Sequence, residues 1–200
     1  GRVIGSGDAR FDRVSSDSRS LGEGALFVAI RGEHFDGHEF VSQVEEQGAV
    51  AVLVERAVET RLPQLVVEDV LYAFGELATA WRFKSDAKVV GLTGSNGKTT
   101  VKEMIAAILR QAGSVLATSG NLNNDIGVPL TLTRLQDEQF AVIEMGANHP
   151  GEIRYLTRMT RPDIALLNNV GRAHLEGFGS LEGVAHAKAE IIEGLADDGI

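Results

Sequence analysis

The sequence predicts an α/β protein in which a small N-terminal α/β domain precedes a parallel-sheet domain that binds nucleotide phosphates. Short apolar runs alternate with helical patterns along the 200 residues, which is typical of a parallel sheet covered by helices. A glycine-rich loop carrying Lys-Thr, at 93–100, lies between an apolar run and a helical pattern. A polar break at 85–87 separates the two halves, so we expect a domain boundary near residue 86.

In the first half, three short apolar runs predict strands, at 24–30, 49–54 and 64–67. Two segments with helical spacing predict helices, at 37–47 and 69–84. Asp69 begins the second helix, and aspartate is a favoured N-cap residue. Trp81 lies on the apolar face of this helix, so we expect it to pack in the core.

In the second half, four apolar runs predict strands, at 88–93, 114–117, 140–145 and 164–168. Helical patterns follow three of them, at 98–111, 151–159 and 180–196. Open parallel sheets bind ligands beyond the carboxyl ends of their strands. Thr93, Glu144 and Asn168 lie at those ends, so this edge of the sheet is the expected binding site.

Composition argues against several classes of protein. The net charge of −9 argues against binding to nucleic acid or to anionic membranes. Without cysteine the chain has neither disulfides nor thiolate metal sites. No apolar run approaches the ~20 residues of a membrane span, so we expect a cytoplasmic protein without membrane insertion. The chain starts without Met and stops where a strand is expected to begin, so we expect a segment of a longer protein.

The loop T-G-S-N-G-K-T-T at 93–100 is the most specific signal in the chain. Its backbone N–H groups and the following helix N-terminus are suited to phosphate oxygens. Lys98 is expected to reach the β- and γ-phosphates of ATP, and the Thr99 hydroxyl to bind Mg²⁺. The first glycine of the usual pattern is replaced by Leu92, so the loop is a variant. The expected ATP-binding residues are Gly94, Ser95, Asn96, Gly97, Lys98, Thr99 and Thr100.

Three more residues are candidates for chemistry at the same edge. Glu144 follows a buried strand, and Mg²⁺ prefers carboxylate and phosphate oxygens. His174 lies in the loop after 164–168, where spacing alone favours a structural or exposed histidine over a metal ligand. Lys188 lies within the last helix among acidic residues, and spacing alone indicates only a solvated lysine.

Polar loops in both halves are candidate substrate sites. The segment 120–130 contains Asn121, Asn123 and Asn124, more amides than a turn or a helix cap requires. In the first half, polar loops at 15–19 and 32–38 flank the first predicted strand. Turn chemistry alone explains these two loops equally well.

Taken together, these stretches resemble the Mur ligases of bacterial cell-wall synthesis. Residues 17–38 have the pattern D-S-R-x-x-x-x-G-x-L-F-V-A-I-x-G-x-x-x-D-G-H. The loop at 93–100 is the short form that this family uses, which explains the departure at Leu92. The stretch G-N-L-N-N-D-I-G-V-P-L-T-L at 120–132 is most similar to the branch that adds D-alanyl-D-alanine.

The resemblance implies a three-domain, ATP-dependent amide ligase. Residues 1–86 would form an N-terminal domain for a UDP-sugar, and 87–200 the front of a central ATP-binding domain, with the C-terminal ligase domain absent from this sequence. The implied partners are UDP-N-acetylmuramoyl-tripeptide and D-alanyl-D-alanine, joined through an acyl phosphate to make a peptidoglycan precursor. ATP and Mg²⁺ are the implied cofactors. A monomer is expected, and the 200 residues alone are expected to be inactive.

The resemblance also implies roles for single residues. Thr99 and Glu144 would hold one Mg²⁺, and His174 would help to hold a second. Lys188 would be carbamylated by CO₂, which turns an ammonium into an anion that can bind Mg²⁺. Together with Lys98 they would form the catalytic site: Lys98, Glu144, His174 and Lys188. The implied substrate contacts are Ser16, Ser18, Arg19, Glu33, His34, Phe35, Asn121, Asn123, Asn124 and Arg154.

Other classes of protein stay open from the residues alone. A P-loop kinase or nucleotide-driven switch would bind nucleotide with no response to a UDP-sugar peptide. A binding module would hold the UDP-sugar without turnover. Another Mur ligase or a folylpolyglutamate-type ligase is the alternative within the superfamily, although the D-G-H and N-L-N-N segments argue against the latter.

Overall fold

The computed structural model of the protein describes residues 1–173 and 175–200. The chain forms two compact units, Gly1–Phe74 and Gly75–Ile200. The division falls inside a helix, so it does not coincide with a loop, and the domain boundary expected near residue 86 stays a prediction. Within the described residues, none of the helices has the length and apolar character that crossing a membrane requires.

The first unit is built on a five-stranded sheet with the order β1-β5-β4-β3-β2. Its strands are β1 (Arg2–Ile4), β2 (Arg13–Ser15), β3 (Ala25–Val28), β4 (Ala51–Val54) and β5 (Gln64–Val66). Strands β2 to β5 run parallel, and β1 pairs antiparallel with β5 at the edge. The three predicted strands are confirmed, and β1 and β2 were not predicted because each begins with arginine and has only one or two apolar residues.

A short 3-10 helix (Gly37–Phe40) and α1 (Val41–Glu46) together replace the single helix expected at 37–47. Gly37 packs directly on the backbone just after β3. A Cβ added at Gly37 would lie 2.7 Å from the carbonyl carbon of Ala29. The glycine of the D-G-H sequence is therefore required by close backbone approach. Apolar side chains of β3, β4 and α1 form the core of this unit.

Helix α2 (Val70–Arg82) follows Asp69, whose carboxylate accepts a 2.9 Å hydrogen bond from the Tyr72 N–H. The expected N-cap is therefore confirmed. Trp81 packs against the core of the second unit, and its Nε1–H donates to the Leu135 carbonyl at 2.7 Å. The prediction that this tryptophan is a core residue is confirmed.

The second unit contains a four-stranded parallel sheet with the order β7-β8-β6-β9. Its strands are β6 (Lys88–Thr93), β7 (Val115–Ala117), β8 (Phe140–Glu144) and β9 (Ile164–Leu167). All four predicted strands are present. Strands β6 and β8 are the central pair, and Leu92 lies opposite Glu144 in their register. The carboxyl ends of both strands therefore lie side by side at one edge.

Helices flank this sheet and connect its strands. They are α3 (Lys98–Leu109), α4 (Gly127–Leu132), α5 (Glu152–Thr160), α6 (Leu175–Phe178) and α7 (Leu181–Ala189). The helix expected at 180–196 is wrong over its last turns, where the chain tightens into a 3-10 helix, Glu190–Gly194. Gly194 packs so closely on α5 that an added Cβ would lie 2.3 Å from the Thr157 carbonyl oxygen. Packing against α5 thus accompanies the change of helix geometry.

Candidate phosphate and metal site

The loop between β6 and α3 has the geometry of a phosphate-binding turn. Gly97 adopts a left-handed φ of 71° immediately before α3, a conformation that glycine reaches without a steric penalty. No side chain among the described residues caps the start of α3. The first N–H groups of this twelve-residue helix are therefore available to an anion.

Two asparagines that follow β9 hold this loop in place. The side-chain nitrogens of Asn168 and Asn169 both donate to the Asn96 carbonyl at 2.8 Å. The Asn96 N–H in turn donates to Asn169 Oδ1 at 3.0 Å. The sequence marked Asn168 only as a strand end, and Asn169 was missed. A run of two amides directly after a buried strand was the available signal.

Lys98 bends back over the loop, with its Nζ donating a 2.9 Å hydrogen bond to the Gly94 carbonyl. Ser95 is buried, and its hydroxyl accepts from the Gly171 N–H at 2.9 Å. The remaining expected ATP-binding side chains at this turn, Asn96, Thr99 and Thr100, are exposed. The ammonium group therefore lies against a turn in which the Asn96, Thr99 and Thr100 side chains face solvent, whereas the Ser95 and Asn96 N–H groups bond to Asn169.

Glu144 is the buried anion of the site, with 1% of its surface exposed. The Thr99 hydroxyl donates to its Oε2 at 3.0 Å, and Asn123 Nδ2 donates to its Oε1 at 2.8 Å. Both donors are neutral, and among residues 1–173 and 175–200 no cationic side chain forms an ion pair with it. A buried carboxylate without a counter-charge is costly. The donor set therefore fits a divalent cation, and its oxygens suit Mg²⁺.

The three asparagines of the amide-rich segment have different surroundings. Asn123 contacts Glu144, and its carbonyl accepts from the Gly146 N–H at 2.7 Å. Asn124 Oδ1 accepts from the Gly127 N–H at 2.9 Å and so caps the start of α4. Asn121 is exposed. The predicted substrate contacts of all three are untested, and the structure adds that two of them also have a structural role.

Lys188, on α7, is almost completely buried, with 1% of its surface exposed. Its Nζ lies 3.4 Å from the Ala147 carbonyl and 5.4 Å from the centre of the Phe178 ring. Burial, together with the nearby Lys98 charge, lowers the pKa of Lys188 from 10.5 to about 8. It is therefore not a solvated helix lysine. A larger neutral fraction makes the amine a better nucleophile at neutral pH.

His174, the other expected metal-site residue, lies outside the described residues. Among the residues that are described, no three histidines, aspartates or glutamates group together as a metal site. At this edge of the sheet, the oxygens of Glu144 and Thr99 are the donors that the structure brings together.

Arg154, an expected substrate contact, is held by acidic neighbours. Its Nε and Nη2 donate to the two oxygens of Glu193 at 2.7 and 3.0 Å. Glu193, with a contribution from Glu190, raises the pKa of Arg154. Glu190 also accepts from the N–H groups of Gly151 and Arg154 and so caps α5. A ligand that recruits this guanidinium has to compete with a bidentate ion pair.

In the first unit, the two expected substrate loops lie at the same edge of the sheet. The loop with Ser16, Ser18 and Arg19 follows β2, and the turn with Glu33, His34 and Phe35 follows β3. Parallel neighbours β2 and β3 place both loops at their carboxyl ends. Ser18 is buried, and the other five are at least partly exposed.

Each loop has an acidic residue that fixes its shape. Asp17 accepts two hydrogen bonds at 2.9 Å from the Arg19 guanidinium, which lowers the pKa of Asp17 to about 2. Asp36 accepts from the His38 ring at 2.6 Å and from Arg56 at 2.9 Å. Burial opposes ionisation of Asp36, but these hydrogen bonds outweigh it and hold its pKa well below the usual range.

His38 is buried beneath the second loop, and its burial could not be predicted from the sequence. Its Nε2 accepts a 2.9 Å hydrogen bond from the Glu55 N–H, so its Nδ1 carries the proton that binds Asp36. The D-G-H sequence therefore attaches the 33–35 turn to the end of β4. Asp36 and His38 position the loop rather than face solvent.

Replacing Asp36 with asparagine should lower the melting temperature of the protein at pH 7 by at least about 4 °C, because hydrogen bonds to a charged group are lost. A carboxyl with a lowered folded pKa adds stability above its ordinary pKa of 3.8 and loses it as the pH falls through the folded value. The difference in melting temperature between wild type and variant should therefore become smaller below pH 3.8. Asp12→Asn, at an exposed acid that accepts a hydrogen bond from Arg13, is the matched control.

The strand, glycine turn and helix, with a buried acid at the neighbouring strand end, define an α/β protein with a phosphate-binding loop. A family model described as the Mur ligase middle domain matches residues 92–200, which is more than half of the chain. A second model, described as the Mur ligase family catalytic domain, matches residues 10–82. The chain belongs to the Mur ligase family.

Individual relatives agree with this assignment. The chain is 58% identical, over 96% of its length, to the UDP-N-acetylmuramoyl-tripeptide–D-alanyl-D-alanine ligase of Escherichia coli K12, of which it covers 43%. It is similar to the MurF crystal structure from Acinetobacter baumannii, with a TM-score of 0.88, 45% identity and coverage of 94% of this chain and 42% of that one. It is also similar to the MurF ligase from Thermotoga maritima in complex with ADP, with a TM-score of 0.86, 38% identity and coverage of 96% and 44%. The chain thus spans less than half the length of these relatives.

Proposed function

We propose that the protein to which this chain belongs is an ATP-dependent ligase that joins UDP-N-acetylmuramoyl-tripeptide to D-alanyl-D-alanine. The observation that carries the proposal is the buried Glu144 carboxylate, bonded to Thr99 of the phosphate loop and to Asn123 of the N-L-N-N segment. Glu144 thus connects the phosphate loop to the segment that is most similar to D-alanyl-D-alanine-adding enzymes. Relatives that bear this name match nearly the whole chain.

The proposed reaction has two steps. A carboxylate oxygen of the tripeptide attacks the γ-phosphorus of ATP, and the bond from that phosphorus to the bridging oxygen breaks to release ADP. The amine of D-alanyl-D-alanine then attacks the acyl phosphate carbon, loses a proton and expels phosphate as the amide forms. Phosphorylation is needed because oxide is a poor leaving group. The protein's task is to place two anions together and offset their charge.

The residues of the second unit are suited to that task. The free N–H groups at the start of α3 and the Lys98 ammonium would bind the β- and γ-phosphates. Thr99 and Glu144 would hold the Mg²⁺ that accompanies ATP, and this ion would offset charge on the phosphates. The asparagines after β9 keep the loop in its binding shape. A relative with this fold is in complex with ADP, which supports nucleotide binding by this chain.

Lys188 would complete the site as a carbamate. Its buried amine attacks CO₂, a C–N bond forms, and one proton is released to give an anionic carbamate. The lowered pKa favours this step, because only the neutral amine has a lone pair to donate. A carbamate would add a second anion to Glu144 for Mg²⁺. His174 stays a predicted partner of that metal.

For the sugar nucleotide, we propose the two loops at the carboxyl edge of the first unit. Arg19 and His34 are exposed there, and Ser16 offers a partly exposed hydroxyl. Charged and hydroxyl donors of this kind suit the phosphates of a uridine diphosphate. Asn121 and Arg154 remain proposed contacts of the muramoyl peptide. The expected monomeric state and cytoplasmic location stay predictions.

The decisive experiment uses the full-length protein with ATP, Mg²⁺ and UDP-N-acetylmuramoyl-tripeptide. Phosphate release should require D-alanyl-D-alanine, with little release when D-alanine or glutamate replaces it. Release with every amine, or with none, would refute the assignment. A kinase or nucleotide switch would instead release or transfer phosphate without the UDP-sugar peptide, and the 200 residues alone should not ligate.

A further inference from the structure

A buried lysine that the proposed reaction does not use lies one turn beyond Thr99 on α3. Lys102 is 1% exposed, and its Nζ donates a 2.6 Å hydrogen bond to the Thr118 carbonyl. The carboxylate of Glu103, at the surface, lies 3.0 Å from the same nitrogen. Because a buried ammonium is costly unless it is well bonded, an apolar side chain would be the simpler choice for packing alone.

Thr118 connects this lysine to the backbone of the metal-site glutamate. Thr118 is itself 1% exposed, and its hydroxyl accepts a 2.9 Å hydrogen bond from the Glu144 N–H. Its own N–H donates to the Val142 carbonyl at 3.0 Å, which extends the pairing of β7 with β8 by one residue. Two hydrogen bonds through one residue therefore join Lys102 to Glu144.

Helix α3 thus contacts Glu144 at two places. Thr99 bonds the carboxylate directly, and Lys102 bonds its backbone through Thr118. The two α3 residues are three apart, so both face the sheet from the same side of the helix. The Thr99 bond to the carboxylate would open, or share its oxygen, when Mg²⁺ binds. The bonds from Lys102 through Thr118 to the Glu144 backbone are enclosed and would stay intact.

We propose that Lys102 is a positioning residue that holds Glu144 at the distance from Thr99 at which both can bind the Mg²⁺ of the nucleotide. Its side chain is enclosed and donates to the Thr118 carbonyl, so it acts on Glu144 through Thr118. Ligands that bind metal need positioning within about 0.5 Å, and their hydrogen-bonded supports affect affinity strongly. The inference rests on the nucleotide site of the proposed function and not on the choice of amine.

The test is the Mg²⁺ requirement of nucleotide binding by the full-length protein, measured as the Mg²⁺ concentration that gives half-maximal binding of ATP. Lys102→Met keeps the side-chain length and removes the charge and the donor. It should raise that concentration about tenfold, the cost expected for one hydrogen bond from a charged group. The KM for the UDP-sugar peptide should change less than twofold, since a support for the metal ligand does not face that substrate.

Two substitutions of Thr118 test the same path independently. Thr118→Val removes the acceptor of the Glu144 N–H and should raise the Mg²⁺ requirement, whereas Thr118→Ser keeps the hydroxyl and should not. The double variant Lys102→Met/Thr118→Val should show less than the product of the two single effects, because both break one path. Glu103→Gln, which leaves the Lys102 bond to Thr118 intact, is the matched control.

The outcomes separate this inference from the proposed function. An unchanged Mg²⁺ requirement in Lys102→Met, even with a lower melting temperature, would overturn the positioning role and leave a merely structural lysine. A raised requirement with additive effects in the double variant would overturn the path through Thr118. If the wild-type protein bound no Mg²⁺-nucleotide, both the inference and the proposed function would fail. If wild type bound it but ligated no amine, only the proposed function would fail.

Discussion

Glu144→Gln should lower the kcat of the full-length enzyme at least about a hundredfold, because the variant removes the buried negative charge while keeping the shape of the side chain. The wild-type carboxylate accepts hydrogen bonds from two neutral donors, Thr99 and Asn123. A neutral glutamine can keep one of these bonds, so folding should be affected little. The charge that attracts Mg²⁺ is lost, so ATP-dependent phosphate release should fall far more than stability.

The measurement is phosphate release at saturating substrates over a series of Mg²⁺ concentrations. Higher Mg²⁺ should restore part of the activity, since the remaining ligands can still be driven to bind. Glu76→Gln, at an exposed position on α2, is the control and should behave as wild type. Wild-type activity of Glu144→Gln at low Mg²⁺ would show that this glutamate is no metal ligand.

Lys188→Ala should lose about a hundredfold or more in kcat, because the proposed carbamate, which would offset charge at the phosphates, cannot form. Added formate or acetate should restore part of the loss by occupying the space of the missing anion. The structural basis is the burial of Lys188, since its truncation to alanine leaves a cavity that a small carboxylate can occupy. Full activity of the untreated variant would sink the carbamate role.

A second measurement separates the carbamate from an ordinary lysine. Wild-type activity should fall when CO₂ is removed from the buffer and return with bicarbonate, whereas Lys188→Ala should not respond to either. Lys84→Ala, at an exposed position after α2, should match the wild type in both conditions. A wild type that ignores CO₂ would indicate a free amine as the working form.

The sequence predicted the sheet of the second unit well, because each strand is a compact apolar run bounded by polar or glycine residues. The strand ends carried the phosphate loop and Glu144, and the rule for parallel sheets then placed them together. The strands β1 and β2 were not predicted, since each begins with arginine and has only one or two apolar residues, too few to form an apolar run. Their stability comes from neighbours in the sheet.

Contacts between distant residues were beyond the reach of the sequence. Asn123 meets Glu144 across 21 positions, and Arg154 meets Glu193 across 39, so no local pattern marks either pair. Lys102 and Lys188 both had the spacing of ordinary helix lysines, and only the packing around them shows that they are enclosed. Burial of a charged side chain depends on tertiary structure, which residue type alone does not disclose.

Strands β6 and β8 are hydrogen-bonded neighbours, so the distance between their backbones at the proposed metal site is constant. Neighbouring strands lie about 4.8 Å apart, a spacing that their backbone hydrogen bonds set. Glu144 ends β8, and Thr99 lies at the start of α3, which follows β6 through the phosphate loop, so the carboxylate and the hydroxyl meet at 3.0 Å by the reach of their side chains. Glu144→Asp would withdraw the charge by one methylene with no backbone movement to compensate. Discrimination between ions of different radius at the proposed metal site would therefore depend on the length of these side chains, because the strand spacing is constant.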